Sequence, residues 1–125
     1  MICDYAFTTI DGNVSIIGIR DSLFVPSLPT TYNHLFVVIY YAVAVSDRDP
    51  RVYTILSAPS GNNLLRYDAP IVSVRGEGMY FQYRMCPFYS IPLEEMGEYH
   101  FEIFIDDRSI HFLPLMVRTI GAHIS

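Results

Sequence analysis

The most constraining feature of this 125-residue sequence is an uncharged run, LFVVIYYAVAV, from Leu35 to Val45. Its β-branched and aromatic residues favour a strand. It is too short for a membrane helix, which needs about 18 apolar residues. Alternate residues of a strand point to opposite faces, so both faces of this strand are apolar. A two-layer sheet buries one face against its core, and the second face therefore needs a cover of its own.

Three covers fit the sequence: the connection Pro26–His34, closure of the sheet into a barrel, or a second subunit. We favour the subunit because only 17% of the residues are charged, against about 25% in a typical domain. Part of such a thinly charged surface is expected to be buried against a partner. The predicted interface consists of Phe36, Val38, Tyr40 and Ala42, with Tyr80 and Arg84 as polar and aromatic companions.

The rest of the chain consists of short β-rich runs separated by turn residues. Asp11-Gly12 is a strong hairpin signal, because both turn positions need positive φ. A hairpin centred there places Tyr5 and Phe7 on the face of Val14 and Ile16. We predict one all-β domain over residues 1–125, an antiparallel immunoglobulin-like β-sandwich of about seven to nine strands.

The segment GEYHFEI, from Gly97 to Ile103, resembles the penultimate strand of immunoglobulin-like and fibronectin-type sandwiches. In those domains the tyrosine of a Gly-x-Tyr opening packs inward, and its hydroxyl holds the preceding loop. The resemblance assigns that structural role to Tyr99. Phe101 stands where antibody domains carry a cysteine, and the chain has no tryptophan, so this is not a true antibody-type domain.

The opening CDYA (Cys3–Ala6), the Asp11-Gly12 pair and IIGI (Ile16–Ile19) are similar to a family of small uncharacterised prokaryotic proteins. The closing GEYxFEI hairpin belongs to the same pattern. This resemblance spans most of the chain and implies an all-β fold without an assigned activity.

The charge of the chain argues against two classes of partner. The net charge is −5, and the eight basic residues, all arginine, are scattered. Nucleic acids and anionic membranes are held by clustered basic side chains, so neither is an expected partner. The absence of lysine also excludes phosphate-loop and Schiff-base lysine chemistry.

Two cysteines, Cys3 and Cys86, follow no recognisable signal peptide. We therefore expect a cytoplasmic protein with reduced thiols. Cys86 is a candidate nucleophile, but free cysteine is usually a buried structural residue.

The remaining chemical candidate is a metal site. His100 and Glu102 share one strand face, and His111 returns beside them across the final hairpin. The spacing is not a recognised ligand motif, and polar residues on an outward strand face are typical of a solvated sheet. We therefore predict no cofactor and no enzymatic activity.

The sequence thus predicts an interaction or assembly module that acts through protein–protein contacts as a homo-oligomer. A phage structural component and an accessory of a defence operon fit equally well. Ten tyrosines without tryptophan also suit a module that binds a small ligand or a carbohydrate. That is the alternative prediction.

Overall fold

The computed structural model describes residues 1–8, 14–44, 50–69, 72–75 and 79–120 and shows a β-sandwich of two five-stranded sheets. The strands are β1 Ile2–Thr8, β2 Val14–Ile19, β3 Ser22–Val25, β4 Thr30–Ala44, β5 Val52–Ser57, β6 Asn63–Asp68, β7 Val72–Arg75, β8 Met79–Leu93, β9 Gly97–Ile105 and β10 Arg108–Thr119. The first sheet has the order β2-β1-β4-β8-β7, and the second has the order β3-β10-β9-β5-β6. No helix capable of crossing a membrane occurs within these ranges.

The predicted all-β sandwich is confirmed. The described part of the chain contains ten strands, because the run from Val14 to Val25 divides at Arg20 and Asp21. Its first part, β2, lies in the first sheet, whereas β3 lies in the second. There β3 pairs parallel with β10, so the sandwich is not wholly antiparallel. The predicted turn at Asp11 and Gly12 lies outside the described residues.

The apolar run of the sequence lies in β4, at the centre of the first sheet. This strand pairs with β8 in one register from Thr30 opposite Leu93 to Ala44 opposite Met79. Leu35, Val37 and Ile39 are buried in the core between the two sheets. Burying each such side chain stabilises the fold by roughly 1.5–3 kcal/mol. The inward face of β4 therefore anchors the sandwich.

A backbone irregularity in β8 aligns its later residues with the core. Phe88 and Ile91 are both buried in the core although they are three positions apart, where simple alternation would place them on opposite faces. Ser90, between them, has a φ of 51°. A residue in this left-handed conformation interrupts the alternation, so Ile91 and Leu93 also face inward.

The turns of the second sheet explain two sequence features. Asp106 and Asp107 have φ angles of 48° and 64° and connect β9 to β10. Aspartate tolerates this conformation better than most residues. Gly97, at the start of β9, has a φ of 130°, and a Cβ atom there would lie 3.1 Å from Cγ of Pro59. Only glycine fits this position without strain.

Candidate interaction surface

The outward face of β4 is largely covered by the chain itself. Phe36 and Val38 are only 8% and 6% exposed, and they form a cluster with the buried Cys3 and Ala6. Val14, Ile16 and Met85 pack against this cluster. The predicted interface at Phe36 and Val38 is therefore wrong, because residues of β1, β2 and β8 already occupy that space.

The cover begins where β1 joins β4. Cys3 pairs with Phe36, and its thiol donates a hydrogen bond to the Phe36 carbonyl oxygen at 3.6 Å. Backbone bonds of 2.8 Å and 3.0 Å connect Met1 and Val38 in both directions. Further along, β1 pairs with β2, so Ala6 lies opposite Ile16. The β1–β2 pair thus supplies the cover that we assigned to a subunit.

The register of this pair differs by one residue from the prediction. Tyr5 lies opposite Ile17, and Phe7 lies opposite Ser15. A one-residue slip moves every side chain to the other face of a strand. Tyr5 and Phe7 consequently share a face with Ile17, whereas Val14 and Ile16 turn towards the Phe36 cluster.

Arg84 is not a surface companion. It lies opposite Ile39 and is 2% exposed. Among the described residues, its guanidinium donates to the Tyr41 hydroxyl at 2.8 Å, to the Ala69 carbonyl at 2.8 Å and to the Pro50 carbonyl at 2.7 Å. These bonds replace the water lost on burial. Arg84 therefore connects β8 to the residue two positions before β5 and to the residue that follows β6.

The other predicted interface positions have mixed outcomes. Tyr40 is 54% exposed on the outward face, as an interface residue requires. Ala42 pairs with Phe81, and Val43 with Tyr80, in the β4–β8 ladder. The side chains of Ala42 and Tyr80 lie outside the described residues.

The sequence did not predict the largest described cluster of outward aromatic rings. We call Tyr5, Phe7, His34, Phe36 and Tyr89 the aromatic patch. The ring of Tyr5 lies 5.1 Å from that of Phe36, 6.0 Å from that of His34 and 6.3 Å from that of Phe7, and Phe36 lies 6.4 Å from Tyr89. Buried Phe36 thus forms the base of the patch, and about half of Tyr5 and more than half of Tyr89 are exposed around it.

Two isoleucines of β2 extend this patch to the edge of the sheet. Ile17 lies opposite Tyr5, and Ile19 lies opposite Cys3. Directly opposed residues in an antiparallel pair point to the same face. Both isoleucines are more than half exposed. The signal in the sequence was the alternation of Tyr5 and Phe7 with smaller residues, but the wrong register hid their partners.

The three metal candidates do not converge. Glu102 lies opposite Phe112, but His111 lies opposite Ile103, because the register shifts between Ser109 and His111. His111 therefore points away from the face of Glu102. Glu102 instead accepts a 2.6 Å hydrogen bond from the Ser109 hydroxyl. His100 packs edge-on against Phe112 at 5.3 Å. In the part of the chain that the structure describes, no three potential ligands form a metal site.

Cys86 is a poor nucleophile in this environment. Its sulfur is fully buried in the core, 3.6 Å from the Thr54 hydroxyl oxygen. Burial raises the pKa of its thiol to about 11, which outweighs the stabilising hydrogen bond from Thr54. The thiol is thus protonated near neutral pH, and the reactive thiolate is scarce.

A polar pocket of about 400 Å³ lies beside the aromatic patch. Its lining includes Asp4, Arg20, Tyr32, Asn33 and His34. The Arg20 guanidinium donates to both carboxylate oxygens of Asp4, one of them at 3.1 Å, and these bonds raise the pKa of the arginine. The pocket thus presents an ion pair with an amide, a phenol and an imidazole.

A family model matches residues 1–118, nearly the whole chain, and its description is a family of unknown function, DUF6941. No curated protein matches the sequence significantly.

Proposed function

The chain thus belongs to DUF6941, whose function is unknown, and we propose from its own surfaces that it is a non-catalytic module acting through protein–protein contacts. The observation that carries this proposal is the aromatic patch with its extension by Ile17 and Ile19. Its exposed members Tyr5, Phe7 and Tyr89 lie on the outward face of the first sheet.

The composition of this surface supports a protein partner. Tyrosine and phenylalanine are enriched at interface cores, and charged residues are depleted there. Tyr5, Phe7 and Tyr89 are each 40% or more exposed, and no Asp, Glu or Arg is a member of the patch. A contiguous exposed apolar patch of a few hundred Å² is often a functional surface. A tyrosine ring also loses little conformational entropy when it binds.

The finer assignments are part of the same proposal. We place the protein in the cytoplasm of a prokaryote, where both buried cysteines stay reduced, and we regard its sandwich as immunoglobulin-like. Its partner is another protein or a second copy of the chain. A phage structural component and a defence-operon accessory remain equally compatible with such a role.

A capture experiment tests the proposal. The tagged chain is compared with the double variant Tyr5→Ser/Tyr89→Ser for the proteins that each retains from an extract of the source cells. We expect the wild type to retain specific proteins that the variant loses. Phe112→Ser, which removes a similarly exposed ring from the second sheet, serves as the matched control. Equal retention by all three folded chains would refute the proposal.

The polar pocket supports a second candidate function, binding of a small polar ligand or a sugar. Its ion pair and neighbouring amide offer both donors and acceptors. A ligand that binds only the folded state raises the melting temperature with increasing concentration. A panel of sugars and small acids that stabilises the wild type, but not Asn33→Ala, would favour this candidate over the first.

A further inference from the structure

Strand β2 is an edge of the first sheet, and β1 is its one neighbour among the described strands. Edge strands carry unpaired backbone donors and acceptors, so natural proteins usually protect them with charges, proline or short length. Val14–Ile19 has six residues and contains neither a charge nor a proline. Within the described part of the chain, this edge is therefore open to pairing.

The three other edges have such protection. Strand β3 has only four residues. Strand β6 carries Arg66 and Asp68, joined by an exposed ion pair of 3.0 Å. Strand β7 also has only four residues and ends at Arg75. The contrast singles out β2.

The register shows which backbone groups of β2 point outward. The Arg20 N–H donates to the Ile2 carbonyl at 2.8 Å, which makes this a hydrogen-bonded pair. In an antiparallel ladder such pairs alternate with pairs whose backbone groups point away from each other. Ile19, opposite Cys3 and next to this bond, belongs to the second kind. The N–H and C=O groups of Ile19 therefore face away from β1, towards the open side. Gly18, with a φ of 69°, interrupts the alternation beyond Ile19.

We propose that two copies of this chain pair through β2, antiparallel and about a two-fold axis, so that the first sheet continues across the dimer. The inference rests on the proposed function, because it names a second copy as the partner of the same surface. An isologous contact of this kind needs a self-complementary strand. The uncharged β2 meets this requirement, since it brings no like charges together in a chain of net charge −5.

Exposed apolar side chains on and beside β2 contribute to the proposed contact. Tyr5, Phe7, Ile17 and Ile19 are between 40% and 69% exposed. Together they expose about 400 Å², half of the roughly 800 Å² that each partner buries in a standard interface. The contact is therefore of moderate strength and depends on concentration.

Light scattering over a wide concentration range tests the dimer. We expect the wild-type mass to approach twice that of one chain, and Ile17→Lys to remain a folded monomer, since a charged edge resists pairing. Ile110→Lys is the matched control, because Ile110 in β10 is 55% exposed and Ile17 is 56% exposed. This control should dimerise like the wild type. A wild type that is monomeric throughout would overturn the proposal.

Crosslinking provides a readout that does not depend on the lysine variant being folded. A short bismaleimide should join two copies of Ile17→Cys, because position 17 lies near the two-fold axis, and should not join copies of Ile110→Cys. The native cysteines Cys3 and Cys86 are buried, so wild type gives the background. A dimer without crosslinking at position 17 would place the interface elsewhere and refute the β2 contact.

The dimer and the proposed function fail differently. Suppose that the wild type is monomeric and that it captures proteins through Tyr5 and Tyr89, also in the Ile17→Lys variant. This result would refute only the dimer. The opposite result is that Ile17→Lys disrupts a wild-type dimer while no protein is captured through Tyr5 and Tyr89. That result would support the dimer and restrict the function to self-assembly.

Discussion

The hydroxyl of Tyr99 donates a 2.7 Å hydrogen bond to the carbonyl oxygen of Glu95, four residues earlier, and accepts one of 3.2 Å from the Glu95 N–H. The ring is 1% exposed and packs in the core. One side chain therefore closes the connection between β8 and β9 from inside. This is the contact that the resemblance to immunoglobulin-like domains led us to expect.

We predict that Tyr99→Phe lowers the free energy of unfolding by about 1 kcal/mol, the usual net value of one hydrogen bond. Urea denaturation measures the loss. The matched control is Tyr89→Phe, on an exposed ring, which should change stability by less than about 0.5 kcal/mol. Light scattering should show no change in oligomeric state for Tyr99→Phe. Equal stability of the two variants would mean that the Glu95 contact contributes nothing.

Replacing Arg84 tests its buried role. Arg84→Met removes three hydrogen bonds and leaves two carbonyl oxygens and one hydroxyl without this donor, so we expect a loss of about 3 kcal/mol or more. Arg84→Lys should recover only part of it, because an ammonium cannot reproduce the fork of the guanidinium. Chemical denaturation provides the comparison, with the exposed Arg118→Met as control. A stable Arg84→Met would return Arg84 to the surface role predicted from sequence.

Replacing Phe36 and Tyr40, two residues on the outward face of β4, by alanine should lower the stability of the fold by different amounts. Phe36→Ala is expected to cost about 3 kcal/mol, because it opens a cavity beneath the β1–β2 pair. Tyr40→Ala, on the same face but 54% exposed, should cost less than about 1 kcal/mol. Both are measured by denaturation at one protein concentration. A similarly small loss for both would indicate that the chain does not cover Phe36.

Cys86 should make stability depend on pH in the alkaline range. Burial raises the pKa of its thiol to about 11 in the folded chain, whereas an unfolded cysteine titrates near 8.5. The folded state thus binds the thiol proton more tightly than the unfolded state does. Below the unfolded pKa, the protonated thiol makes its full contribution to the stability of the fold. This contribution is lost as pH rises from about 8.5 to about 11, by an amount on the order of 3 kcal/mol.

Unfolding free energies measured across this pH range for wild type and Cys86→Ala check the prediction. The variant removes the thiol while keeping a small apolar side chain, so its curve should be flatter than that of the wild type. Parallel curves would show that Cys86 does not contribute. Reaction of the native wild type with a thiol reagent at neutral pH should also be slow, because little thiolate is present.

Local patterns in the sequence were sufficient for the fold class and for Tyr99. Alternation along β9 and the Gly-x-Tyr opening depend on short-range geometry, and the buried Tyr99 and the left-handed Gly97 agree with them. The prediction that His100, Glu102 and His111 lie side by side was wrong because it depended on the pairing of two strands. The irregularity between Ser109 and His111 shifts the ladder by one residue, and a side-chain period of two makes such a shift decisive.

The sequence by itself determined that β4 is apolar on both faces and that its outward face needs a cover. Only the tertiary structure decided that the β1–β2 pair, and not a subunit, lies over Phe36 and Val38. It also decided that Arg84 points inward, where three oxygen acceptors distant in sequence meet it. Alternation is a local property of the chain. Register, strand curvature and the pairing of distant polar groups arise from long-range packing, which no short pattern encodes.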